Sequence, residues 1–170
     1  RTRRLVAIDL PGHGDSTRLP QGFETFAGLA RGVGHAAVAL GLADQVMVGH
    51  SLGGHLLLQA TAAGLLRRAR GLLIHGTPPF SSPAALGAAF PPNPLMMVAV
   101  TPEPSDADVD ALLPVWFGPH VAPPMWARKE FRRTDPAIRA GIAAATTSGN
   151  MLDERRTVLE LNVPIAIVHG

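Results

Sequence analysis

The run Val46-Met47-Val48-Gly49-His50-Ser51-Leu52-Gly53-Gly54-His55-Leu56-Leu57-Leu58 sets the architecture of this 170-residue chain. Short apolar residues, two of them β-branched, lead into Gly49. Ser51 stands between Gly49 and Gly53, and a long apolar run of helix formers follows. The pattern reads as strand, sharp turn and helix, with G-x-S-x-G as the turn. The spacing has a chemical reason. A serine hydroxyl is a weak nucleophile and must be held where a base can reach it, close to donors for an oxyanion. A strained turn does this when its flanks lack bulk, which predicts a steric role for both Gly49 and Gly53. The Leu52 N–H then opens the helix and points into the same space, where the helix dipole favours negative charge.

Working outward, Leu5-Val6-Ala7-Ile8 reads as a buried parallel strand, and Asp9-Leu10-Pro11-Gly12-His13-Gly14-Asp15-Ser16 as the loop at its carboxyl end. Asp9, His13 and Asp15 could be assembled with Ser51 into a relay. Short polar side chains in a Gly/Pro loop more often bond their own backbone, and that is the reading adopted. Apolar residues at helical spacing predict a helix over 23–40 that Gly41 ends, with His35 as an ordinary helix residue. The helix after Ser51 is apolar almost all round, which suits burial between layers, and His55 on it reads as structural. Gly71-Leu72-Leu73-Ile74-His75-Gly76 is a third short strand. Strands alternating with helices indicate a parallel sheet, whose ligands bind beyond the carboxyl ends of its strands.

From about Phe80 proline becomes frequent, and no strand pattern returns before Pro164. Residues 80–161 therefore read as a helical insertion, with 1–79 before it and 162–170 as a returning strand. Its helices are expected over 83–90, after a Ser105/Asp108 cap, over 125–133, from Asp135-Pro136, and over 152–161. Met96, Met97, Trp116, Phe117 and Trp126 are apolar candidates for a substrate pocket. Most are expected to form the interior of the insertion, with one or two facing a ligand.

Composition narrows the function classes. With 46% hydrophobic and 16% charged residues the chain can bury a core and is not a disordered segment. A net charge of +2 without a basic block and interleaved aromatics argues against nucleic acid. Zero Cys removes disulfides and thiolate metal sites. No apolar run reaches the ~18 residues of a membrane span. No dinucleotide fingerprint, Walker loop or His-x-x-x-His spacing occurs, so no cofactor and no metal are expected. The expected partner is a small acyl substrate, the default location is cytoplasmic, and the oligomeric state is left open. Arg1 at the start and His169-Gly170 directly after a strand suggest a partial chain.

Taken in order, these motifs resemble the α/β-hydrolase superfamily. The Asp9–Ser16 loop is similar to the one after its fourth strand, and Gly49-His50-Ser51-Leu52-Gly53 to the nucleophile elbow after its fifth. The helical insertion resembles the lid that follows its sixth, and 163–170 its seventh strand. The resemblance implies an α/β fold: a partial hydrolase fold with a mostly parallel sheet, flanking helices and an inserted lid. It implies Ser51 as nucleophile and the Leu52 N–H as one oxyanion donor. It also implies that His50 is not the base, and that the acid, the catalytic His and the second oxyanion donor lie outside the chain. A pocket set follows: His50, Trp116, Phe117, Trp126 and Met96. Because the family's third strand lies between its fourth and fifth, residues 5–8 are expected either two strand spacings, roughly 9–10 Å, from 46–48 or collapsed onto them. The implied activity is serine hydrolysis of an ester or related acyl bond. Carbon–carbon hydrolases, lactonases, perhydrolases and acyltransferases share the elbow, and a non-catalytic ligand-binding member is the alternative from another class.

Overall fold

The computed structural model describes residues 4–89, 93–148 and 152–169. Three parallel strands, β1 (Val46–His50), β2 (Gly71–His75) and β3 (Ile165–Val168), form a sheet in the order β1-β2-β3. The register sets His50 beside His75 and His75 beside Val168, so the carboxyl ends of the strands finish level. Helices α1 (Phe26–Ala39) and α2 (Leu52–Ala62) pack with the sheet around one core. Leu29, Leu56, Leu58, Leu66 and Ile74 are fully buried in it. Thr25 caps α1 by accepting the Gly28 N–H at 3.0 Å. α1 packs closely on the turn that follows α2 at Gly34, where a Cβ would lie 2.6 Å from Leu65 Cδ1.

Residues 5–8 depart from expectation: they form no strand. A strand needs a partner for its backbone donors and acceptors, and none of the described residues pairs with this segment. Leu5 is 90% exposed, and Val46 and Val48 on β1 are 60% and 70% exposed. Residues 5–8 and β1 instead line one open cavity. They are not neighbouring strands, and β1 is an edge of the described sheet.

Between β2 and β3 the described residues form six helices: α3 (Pro83–Ala89), α4 (Pro94–Val98), α5 (Asp106–Phe117), α6 (Trp126–Arg132), α7 (Pro136–Ser148) and α8 (Glu154–Glu160). Ser105 and Asp108 form the expected capping box on α5, each side chain bonding the other's backbone N–H. Asp135 accepts the Ala137 N–H at 3.0 Å at the start of α7. The short α4 was not foreseen, although Asn93 at its N-cap and Pro94 at its first turn are the residues that start a helix. Phe90, the expected end of the first insertion helix, lies outside the described residues, as does Gly170. Among the described residues no helix is long and apolar enough to cross a membrane.

This segment has its own small core of Val98, Val109, Leu112, Leu113, Ala127 and Phe131. The large apolar side chains expected to fill it are not in it. Trp116 and Trp126 are 47% and 59% exposed, Met96 and Met97 are also exposed, and Phe117 only packs against the edge. The reason is volume: Leu and Val at helical spacing along α5 already fill the space between α4, α5 and α6.

Candidate active site

Among the described residues Ser51 alone, glycines apart, has a left-handed backbone, with φ 49° and ψ −119°. Such a conformation costs a non-glycine residue about 1–3 kcal/mol and persists only where its surroundings over-determine it. Here three contacts do so. The Ser51 N–H donates to His75 O at 2.9 Å. The Thr77 hydroxyl donates to Ser51 O at 3.0 Å, shared with His75 O at 3.1 Å. A Cβ on Gly49 would lie 2.7 Å from the Gly53 carbonyl carbon and the Gly54 nitrogen. The strand can therefore meet its helix this closely only with glycine at 49.

The second glycine of the motif behaves differently. A Cβ on Gly53 would meet nothing within 4 Å, so the steric role expected of Gly53 belongs to Gly54. A Cβ there would fall 2.2 Å from Thr77 Oγ1. The Gly-Gly doublet was a visible signal for this position. Thr77 had none, because a threonine in a Thr-Pro-Pro turn looks like any other.

Ser51 is exposed at the N-cap of α2, its side chain makes no capping bond, and no partner among the described residues holds its hydroxyl. The Leu52 N–H is the first in α2 and belongs to the donors that a helix leaves unpaired. His50 stacks on His75, with ring centroids 5.2 Å apart and planes at 27°. In the loop from Asp9, Asp9 and His13 bond the loop's own backbone as expected, whereas the Asp15 carboxylate pairs with Arg133. Asp9 accepts the Asp15 N–H at 2.9 Å, and His13 Nδ1 lies 3.1 Å from Pro11 O. Burial holds the His13 imidazole below its ordinary pKa. None of these groups bonds Ser51.

Ser51 opens into a cavity of about 2570 Å³. That exceeds the ~300–1,000 Å³ of a small-molecule site because the same space runs along the open edge of β1. His50 lines it, as do Met96, Met97, Trp116, Phe117 and Trp126. Trp116 tilts against Phe131, and Phe117 meets Trp126 edge-on. Among the described residues no cluster of three or more His or acidic groups could hold a metal.

One polar pair was not anticipated. His55, one turn into α2, lies 2.7 Å through Nδ1 from Glu154 Oε2, and both are buried. The Glu154 N–H donates to Phe80 O at 2.9 Å, and Phe80 packs on the His55 ring. The point where the chain leaves the sheet core and the point where it returns are thus tied to the helix that follows Ser51. Burial raises the Glu154 pKa more than its bond to His55 lowers it.

The alpha/beta hydrolase family profile matches residues 1–168. This chain belongs to the alpha/beta hydrolase family. No curated protein sequence matches. Among solved structures, the N-acyl homoserine lactonase AidH complexed with N-butanoyl homoserine is 33% identical, with a TM-score of 0.82 over 95% of this chain. A variant of AidH complexed with N-hexanoyl homoserine lactone gives 32% identity and a TM-score of 0.83 over 95% of this chain, and 59% of that one. The esterase RhEst1 from Rhodococcus sp. ECU1013 shares the fold at 22% identity, with a TM-score of 0.68 over 98% of this chain and 62% of that one. This hydrolase-family chain spans only 58% of the length of the first lactonase chain.

Proposed function

We propose that this chain is the nucleophile-bearing part of a serine hydrolase that cleaves a carboxylic ester or lactone through an acyl-enzyme at Ser51. The observation that carries the reading is the over-determined turn, which spends backbone strain to leave one hydroxyl unpartnered over an open cavity. In the proposed reaction Ser51 Oγ attacks the acyl carbonyl carbon and gives its proton to a base. The carbonyl oxygen becomes an oxyanion facing the Leu52 N–H, and the intermediate then breaks its acyl C–O bond. The leaving oxygen takes the proton from the base as a free alcohol (ester) or a hydroxyl tethered to the acyl group (lactone), and water releases the acid. No acid or base is assigned among these 170 residues, so the chain alone is proposed to be inactive and the tests use full-length protein.

Residues 80–161 would act as a lid. Trp116, Phe117, Trp126 and Met96 would supply an apolar wall for the acyl chain, with His50 beside the nucleophile. Likeness to AidH favours a lactone over an open-chain ester, since the esterase RhEst1 is more distant in sequence. The test is a hydrolysis screen of N-acyl homoserine lactones and p-nitrophenyl esters of graded chain length. Turnover of either series that disappears in Ser51→Ala supports the reading. Saturable binding of the same compounds without turnover would favour a ligand-binding member instead.

A further inference from the structure

The arginines from 128 to 139 invert the usual relation between burial and pairing. Exposed Arg128 and Arg132 reach Asp110 and Asp106, and the partly exposed Arg133 reaches Glu130 at 2.9 Å. Arg139, on α7, is buried and pairs with no carboxylate among the described residues. Nearby acids are engaged elsewhere: Asp135 pairs with Arg18 at 3.2 Å, and Asp9 accepts the Asp15 N–H. The Arg139 guanidinium donates instead to two main-chain carbonyls, Ala99 O and Phe131 O. It also lies 4.0 Å from the centre of the Phe131 ring. These are dipoles and a π-face, and they leave the positive charge uncancelled. Buried charges ordinarily find a counter-ion, because an unpaired one is costly to desolvate. Desolvation accordingly pulls its pKa down to about 10.

Two of the five guanidinium N–H groups are used, and Arg139 lines the same cavity as Ser51. We propose that Arg139 is an anion-recognising subsite that binds a carboxylate carried by the substrate at a distance from its scissile carbonyl. A remote carboxylate fits better than the one made by hydrolysis. The nascent acid forms at Ser51 and Leu52, whereas the bonds of Arg139 are all to the helical segment. The inference deepens the hydrolase reading and rests on it for the word substrate; the unpaired buried cation itself does not depend on it.

The test compares p-nitrophenyl butyrate with the mono-p-nitrophenyl ester of glutaric acid on full-length protein. The expected result is a preference in kcat/KM for the acidic ester that Arg139→Met lowers roughly tenfold or more, acting mainly on KM. Turnover of the neutral ester stays nearly unchanged, and Arg139→Lys restores part of the preference. A parallel loss for both esters, or no preference in the wild type, overturns the proposal and leaves Arg139 as a brace between α4 and α6. Calorimetric titration of monomethyl glutarate and methyl butyrate into Ser51→Ala protein, with and without Arg139→Met, separates this proposal from the catalytic one. Carboxylate binding lost only with Arg139 upholds the subsite even where no ester is cleaved. Equal binding to both proteins rejects it even where Ser51 proves to be the nucleophile.

Discussion

The turn at Ser51 and the helical segment between β2 and β3 are held by different kinds of force. At the turn the contacts are main chain against main chain: Gly49 on Gly53 and Gly54, Ser51 N–H on His75 O, and one threonine hydroxyl. In the helical segment they are side chains: a core of a few aliphatic residues, Asp–Arg pairs on the surface, and helix caps. Backbone contacts have almost no slack, whereas side-chain contacts can relax. One region should therefore fail on the addition of a methyl group, and the other should absorb most single changes.

Gly49→Ala should have the largest effect. Its methyl would press on main-chain atoms that cannot move without opening the turn, costing about 3 kcal/mol or more. Chemical denaturation should show a large drop in midpoint or no folded protein, and a normal midpoint would break the contrast. Glu154→Ala comes next, removing the partner of His55 and opening space between α2 and α8. A loss of about 2–3 kcal/mol is expected in the same assay.

The Glu154 pair also carries a pH signature. Its folded pKa is raised, so the folded state holds a proton that the unfolded chain has released. This stabilisation is complete below the ordinary carboxylate pKa and is lost as pH rises through the folded value. His13 has the opposite sign: its folded pKa is lowered, so stability is present above the ordinary histidine pKa and is lost as pH falls through the window below it. Denaturation midpoints across pH 4–8 should show the first slope disappear in Glu154→Gln and the second in His13→Gln. Unchanged slopes would contradict these assignments.

Thr77→Val should cost about 1–2 kcal/mol. It should lower kcat more than it raises KM, because it loosens the turn without touching a ligand, and Thr77→Ser should recover both. Smallest of all is Gly53→Ala. Its methyl meets open space in the first turn of α2, so stability should hold or rise by about 0.5–1 kcal/mol. Read against Gly49→Ala, this variant sharpens the comparison most, since the two glycines are equivalent in the motif and opposite in the fold.

The same division explains what was legible in the sequence. Gly49, Ser51, the apolar strand and the apolar helix form a local pattern with one steric solution, and the structure has that solution. The caps at Ser105 and Asp135 were also legible, being side-chain-to-backbone bonds over two or three residues. Thr77, Glu154 and Arg139 were not, because each acts on a residue brought near only by folding: Ser51, His55 and Ala99. The aromatic residues were identified but placed wrongly. Periodicity says that Trp116 is apolar, not that Leu112 and Leu113 have already filled the space it might have taken. Leu5-Val6-Ala7-Ile8 has the apolar run of a buried strand, yet strand structure depends on a partner that composition cannot supply.

The most direct test of the central claim is to treat full-length protein with a fluorophosphonate and map the adduct by tandem mass spectrometry. The account predicts a single adduct on the Ser51 hydroxyl, absent in Ser51→Ala and retained in Gly53→Ala. An adduct on another side chain, or labelling that survives in Ser51→Ala, would contradict it.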